Sequence, residues 1–111
     1  MVHNAKFCGT DATDAGKLGE ARAGIDKNTD VYEINGRNRI PDEVTDTMIT
    51  EVKNVKTQSL SIQIKDDLDL AKNLNTDFTL ITRENTHITK PLQAKIDEGL
   101  IIHNPFLPPV N

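Results

Sequence analysis

Residues 39–55 read Arg39-Ile40-Pro41-Asp42-Glu43-Val44-Thr45-Asp46-Thr47-Met48-Ile49-Thr50-Glu51-Val52-Lys53-Asn54-Val55. From Met48 to Val55 the run is extended in character, with Ile49, Glu51, Lys53 and Val55 on one side and Met48, Thr50, Val52 and Asn54 on the other. Each side mixes apolar and polar residues. That suits a simple half-buried strand poorly and suits a strand whose middle emerges into a cleft. Glu51 and Lys53 are two apart and share a face, and Asp42 on the preceding strand comes alongside them. Carboxylate oxygens suit hard cations such as Mg2+, usually held by one or two carboxylates with phosphate oxygens and water completing the shell. Lys53 then lies beside the metal-bound water or the phosphate.

On the N-terminal side, Asp30 to Ile34 reads as a strand, Asn35-Gly36 as a hairpin turn and Arg39-Ile40 as the start of the return strand, where Pro41 disfavours a central ladder position. Earlier still, Thr10, Asp11 and Asp14 are helix-starting residues for a segment reaching about Ile25. Its small-residue stripe of Ala12, Gly16, Gly19 and Ala23 also carries Glu20, which a close helix packing would bring near the neighbouring element.

On the C-terminal side, Leu60, Ile64, Leu68, Ala71 and Leu74 recur at helical spacing and predict a helix from about Ser59 to Asn73. Asp77 to Arg83 alternates as a strand. Thr89 caps a short helix with Pro91 in its first turn and Gly99 after its end, and Leu100 to His103 is a last strand before the Pro105–Pro109 tail. The predicted order is helix, three strands, helix, strand, helix, strand. This is an α/β domain with a mixed β-sheet flanked by helices and parallel crossovers in its second half.

The 111 residues allow one domain (residues 1–111, core about 10–104) and one core. Aromatics are 4% and Trp is absent, so stacking platforms for single-stranded bases are nearly excluded. A net charge of -4 argues against a general basic glove for phosphate, although a carboxylate cluster that binds metal would itself add acidic residues. Cys8 is the single cysteine, which excludes an internal disulfide and a Cys-based zinc site. No apolar run approaches the roughly 20 residues of a membrane helix. Met1-Val2-His3-Asn4 has no secretory-signal character, so a larger parent is expected to supply any address.

Pro41-Asp42 followed by Glu51-Val52-Lys53, within the order αβββαβαβ, resembles the PD-(D/E)XK nuclease superfamily and its restriction-endonuclease-like core. The longer run Arg39-Ile40-Pro41-Asp42, Thr50-Glu51-Val52-Lys53-Asn54-Val55 and then Gln63 resembles the restriction-endonuclease-fold toxin domains at the C-termini of bacterial polymorphic and contact-dependent toxins, over roughly residues 10 to 104. The resemblance implies that Asp42 and Glu51 ligate a divalent metal, with Mg2+ foremost and Mn2+ or Zn2+ as options. It implies that Lys53 orients or activates the attacking water, that the Val52 carbonyl adds to the metal shell, and that Glu20 and Gln63 complete the catalytic set, Glu20 as a further metal ligand. The implied activity is a metal-dependent endonuclease toxin cutting target-cell DNA. A tRNA- or RNA-cleaving toxin of the same fold, and a non-catalytic nucleic-acid-binding or interaction module, are the alternatives. A cognate immunity protein, a free monomer, and export as the C-terminal part of a larger toxin that acts in the target-cell cytoplasm are further implications.

Each site residue also has a plainer reading. Glu51 and Lys53 could be a solvated pair on an edge strand, Asp42 a turn residue, Gln63 a structural hydrogen-bonding group and Glu20 part of a solvated helix face. His3, His87 and His103 have no metal-ligand spacing and read as surface or strand-end residues. The run Lys65-Asp66-Asp67-Leu68-Asp69 reads as a solvated helix surface. Arg37, Arg39 and Lys56 read as phosphate contacts flanking the cleft.

Overall fold

The computed structural model describes residues 26–107. The predicted first helix, with Glu20 on it, lies outside the described residues. The chain opens on a hairpin, β1 (Tyr32–Ile34) and β2 (Arg37–Arg39), with Ile34 opposite Arg37. The two turn residues Asn35 and Gly36 both have positive φ, 56° and 76°, the conformation that a two-residue turn needs to match strand twist. This hairpin forms a two-stranded sheet of its own. It does not continue into the main sheet, because Pro41 has no N–H to extend the ladder.

The main sheet holds β3 (Glu43–Val44), β4 (Met48–Lys53), β6 (Asp77–Thr82) and β8 (Ile102–Asn104) in that order. The β3–β4 pair is antiparallel, while β4–β6 and β6–β8 are parallel, as the crossover helices require. Helix α1 (Ile62–Leu74) links β4 to β6 and helix α2 (Lys90–Asp97) links β6 to β8. A small parallel pair, β5 (Thr57–Gln58) and β7 (His87–Ile88), ties the two connections together. The domain is thus the mixed α/β sheet expected, with two corrections. The strand beside β4 is Glu43–Val44 rather than the hairpin return at Arg39-Ile40. The last strand starts at Ile102, because Leu100 and Ile101 belong to the turn after α2.

Helix α1 starts where Ser61 Oγ accepts the N–H of Ile64 at 3.2 Å, and it ends where Asn75 takes the left-handed conformation. Ile64, Leu68, Leu70 and Ala71 are buried from this helix, Ile49 from β4, Phe78 and Leu80 from β6 and Leu92 from α2. Each large aliphatic or aromatic side chain among them contributes about 1.5–3 kcal/mol by leaving water. Strand β4 pairs with β3 at Ile49 and Thr50 and with β6 along its whole length, and Thr50, Glu51 and Val52 on it are buried. The reading of Glu51 as a solvated residue is thereby overturned, while Lys53 is half-buried.

Candidate active site

Helix α1 leaves the C-terminal end of β4 and returns along it, so the two elements run in opposite senses. Two strand residues advance about 6.6 Å and four helix residues about 6.0 Å, which lets Lys53 and Glu51 meet Gln63 and Asp67 in turn. Lys53 Nζ donates to Gln63 Oε1 at 2.7 Å. One rung deeper, the carboxyl groups of Glu51 and Asp67 face each other.

Asp42 enters from the residue before β3. Its Oδ2 accepts the N–H of Val52 at 2.8 Å, and its Oδ1 lies 3.5 Å from Lys27 Nζ. The same carboxylate also faces Glu51. The structure therefore brings Asp42, Glu51 and Lys53 together, as the spacing predicts, and sets beside Lys53 the Gln63 that the family resemblance implies. Glu20 lies outside the described residues.

Glu51 is 1% exposed and Asp67 is 0% exposed. Burial first, then the carboxyls of Asp67 and Asp42, push the Glu51 pKa well above the ordinary carboxylate range. Burial likewise raises Asp67, and this outweighs the opposing effects of its contact with Glu51 and of the positive charges of Lys53 and Arg39. No other donor group reaches Glu51 Oε2, Asp67 Oδ1 or Asp67 Oδ2. Apart from a proton shared between the two facing carboxyls, these buried acceptors have no donor, an arrangement uncommon in folded proteins.

Such oxygens fit a hard cation. Among the described residues no three His, Cys, Asp or Glu side chains already stand as a ligand cluster. A cation held by Asp42 and Glu51 would therefore take the rest of its shell from water and phosphate oxygens, as Mg2+ commonly does.

The acidic run on α1 requires a correction. Asp66 and Asp67 are both fully buried, not solvated. Asp66 takes a bidentate pair from Arg37, Nε to Oδ2 at 2.7 Å and Nη2 to Oδ1 at 2.8 Å. It also accepts from Arg39 Nε at 2.8 Å and Asn35 Nδ2 at 2.9 Å. These hydrogen bonds, the Arg37 pair above all, hold its carboxyl far below the usual range. Arg37 and Arg39 thus fasten the hairpin to α1 and are not the free phosphate contacts expected; Lys56 stays exposed. His87 is exposed at β7, and His103 on β8 shares a 2.8 Å hydrogen bond with Thr82 Oγ1.

Asp67 is the residue at this site that sequence reasoning missed. The available signal was its four-residue spacing from Gln63, which puts both on one face of α1.

A family model described as restriction endonuclease fold toxin 7 matches residues 16–92, most of the chain. No curated protein matches it, and no solved structure does.

Proposed function

The chain belongs to the restriction endonuclease fold toxin family, and from that premise we propose that it is a metal-dependent endonuclease that hydrolyses phosphodiester bonds in the DNA of a target cell. The observation that carries this reading is the meeting of Asp42, Glu51 and Lys53 at one place, with a Glu51 oxygen buried and without a donor. A purely structural glutamate at this depth would be paired.

Asp42 and Glu51 would hold the divalent cation, Mg2+ foremost, with Glu20 as a further acidic ligand on family resemblance. When bound, the cation polarises the scissile phosphate and makes water a better nucleophile at neutral pH. Lys53 supplies a fixed positive charge toward the phosphate and stabilises negative charge as it develops. Gln63 acts through Lys53: its Oε1 accepts one ammonium hydrogen and sets the direction of the other two. Asp42 also acts on the backbone, since its hold on the Val52 N–H fixes the chain between Glu51 and Lys53.

The proposed setting is the C-terminal part of a larger exported bacterial toxin, acting in the target-cell cytoplasm. A cognate immunity protein would protect the producing cell, and an acidic toxin favours a partner of complementary charge.

Supercoiled plasmid and total tRNA, each incubated with the purified domain with and without EDTA, test the reading. Plasmid nicking that EDTA stops and added Mg2+ restores is expected. Cleavage of tRNA alone would transfer the same chemistry to RNA, and cleavage of neither would leave a binding or interaction module.

A further inference from the structure

We infer that Lys27 is a substrate-contacting residue, whose ammonium rests on Asp42 in the free protein and passes to a phosphate of the DNA backbone when substrate binds beside Asp42 and Lys53. This inference rests on the DNA reading above and adds to it a cation from outside the Asp42, Glu51 and Lys53 pattern. Lys27 Nζ lies 3.5 Å from Asp42 Oδ1. The other oxygen of that carboxylate, Oδ2, accepts the N–H of Val52 at 2.8 Å, one residue before Lys53. Asp42 thus stands between two lysines, one reaching it through its ammonium and the other tied to it through the main chain.

The backbone on either side of Lys27 is fastened. Before it, the Asp26 N–H donates to Glu43 Oε2 at 3.2 Å. After it, the Asn28 N–H donates to the Asp42 carbonyl at 2.8 Å and Asn28 Nδ2 to the Pro41 carbonyl at 3.0 Å. Asn28 Oδ1 in turn accepts the Asp30 N–H at 3.0 Å, which fixes the turn that follows. Residues 26–28 therefore run along Pro41-Asp42-Glu43, and the hydrogen bonds of its neighbours place Lys27 over Asp42.

The Lys27 side chain is 29% exposed, so a polyanion can reach it. An ion pair open to water adds little to stability, and a lysine ammonium is a point charge on a flexible stem that changes partners readily. A phosphate can therefore take the ammonium from Asp42 at small cost. Lys53 differs, since Gln63 Oε1 holds its ammonium at 2.7 Å. The two lysines then divide the work: Lys53 acts on the chemical step and Lys27 holds the strand being cut.

Fluorescence anisotropy of a labelled DNA duplex, titrated with the full chain at low salt in EDTA so that nothing is cut, tests this as a double-mutant cycle. The chains are the parent, Asp42→Asn, Lys27→Met and the double variant. Lys95→Met, which removes the lysine paired with Glu98 on α2, is the control. Methionine keeps the packing of the stem and removes the charge. Asp42→Asn keeps an acceptor for the Val52 N–H and releases the ammonium, so it should tighten DNA binding severalfold more in the chain that has Lys27 than in Lys27→Met. With Asp42→Asn present, loss of Lys27 should lower the slope of log affinity against log salt by about one, as loss of a single phosphate contact does. Lys95→Met should bind as the parent does.

Equal tightening by Asp42→Asn with and without Lys27, in a parent that binds the duplex, would overturn the inference and leave the DNA reading standing. An equal loss of affinity in Lys95→Met would do the same, since net charge alone would then explain the effect. A parent chain that does not bind the duplex would overturn both. Lys27→Gln repeats the cycle should the methionine variant fail to fold, and failure of both to fold would overturn the inference by making the lysine part of the fold.

Discussion

Asp42 Oδ2 accepts the backbone N–H of Val52 at 2.8 Å, so the carboxylate of the first motif element holds the main chain of the second between Glu51 and Lys53. Charge and position are therefore joined in one residue. Asp42→Ala should abolish cleavage and also destabilise the domain by about 1–3 kcal/mol, because the buried Val52 N–H is left without an acceptor. Asp42→Asn keeps an acceptor oxygen and should retain most of the stability while still losing activity. Urea unfolding beside plasmid cleavage separates the two effects, and equal stability of the alanine and asparagine variants would refute the positional role.

Glu51→Gln should eliminate cleavage yet raise the stability of the metal-free protein, and the gain should depend on pH. Glu51 and Asp67 are held above their ordinary values of 4.5 and 3.8, so the folded state keeps protons to a higher pH than the unfolded chain does. Their contribution to stability is present below the unfolded values and is lost as pH rises through the raised folded ones. The difference in melting temperature between Glu51→Gln and parent should therefore widen as pH rises above the ordinary carboxylate range. A difference that is flat or narrows with pH would show that the carboxyl pair is not strained by its charge.

Asp66 should behave in the opposite sense. Its carboxyl is held below its ordinary value of 3.8, so its contribution is full above that value and lost as pH falls toward the depressed folded one. Asp66→Asn removes the charge that draws Arg37 and Arg39 to the helix. It should lower the melting temperature by on the order of 5 °C at neutral pH, with a clearly smaller effect near pH 2. Thermal melts at the two pH values measure this. An equal drop at both would mean that shape rather than charge holds the hairpin.

Lys53→Met should reduce the single-turnover cleavage rate by about 2–4 kcal/mol of transition-state stabilisation, while leaving Mn2+ affinity at or above that of the parent. Methionine keeps the packing of the stem and removes only the charge. Gln63→Ala leaves the lysine charged but unsteered, so its loss of rate should be smaller. A rate loss for Gln63→Ala as large as that for Lys53→Met would mean that Gln63 touches the substrate itself.

What could be read along the chain was whatever local periodicity carries. The two-residue spacing of Glu51 and Lys53, the Asn35-Gly36 turn, the apolar repeat of α1 and the alternation of Asp77 to Thr82 all depend on neighbours within a few residues, and each appears in the structure. The mixed polarity of Met48 to Val55 correctly marked an unusual strand, but not why it was unusual. A strand mixed on both sides exposes its acids if its faces are open to solvent, and buries them if another element packs over those faces. Only the packing of α1 onto β4, which brings Gln63 onto Lys53 and Asp67 onto Glu51, decides between these.

The same limit explains Asp66, Asp67 and Asp69. Three acids on one helix look alike in sequence, because helical spacing states which of them share a face and not what that face meets. The hairpin brings Arg37 and Arg39, some 30 residues away, onto Asp66, while β4 brings Glu51 onto Asp67. A buried charge is stable or strained according to what the rest of the chain places beside it. Asp66 is tied to the hairpin and Asp67 is set against Glu51 for reasons that only long-range packing could supply.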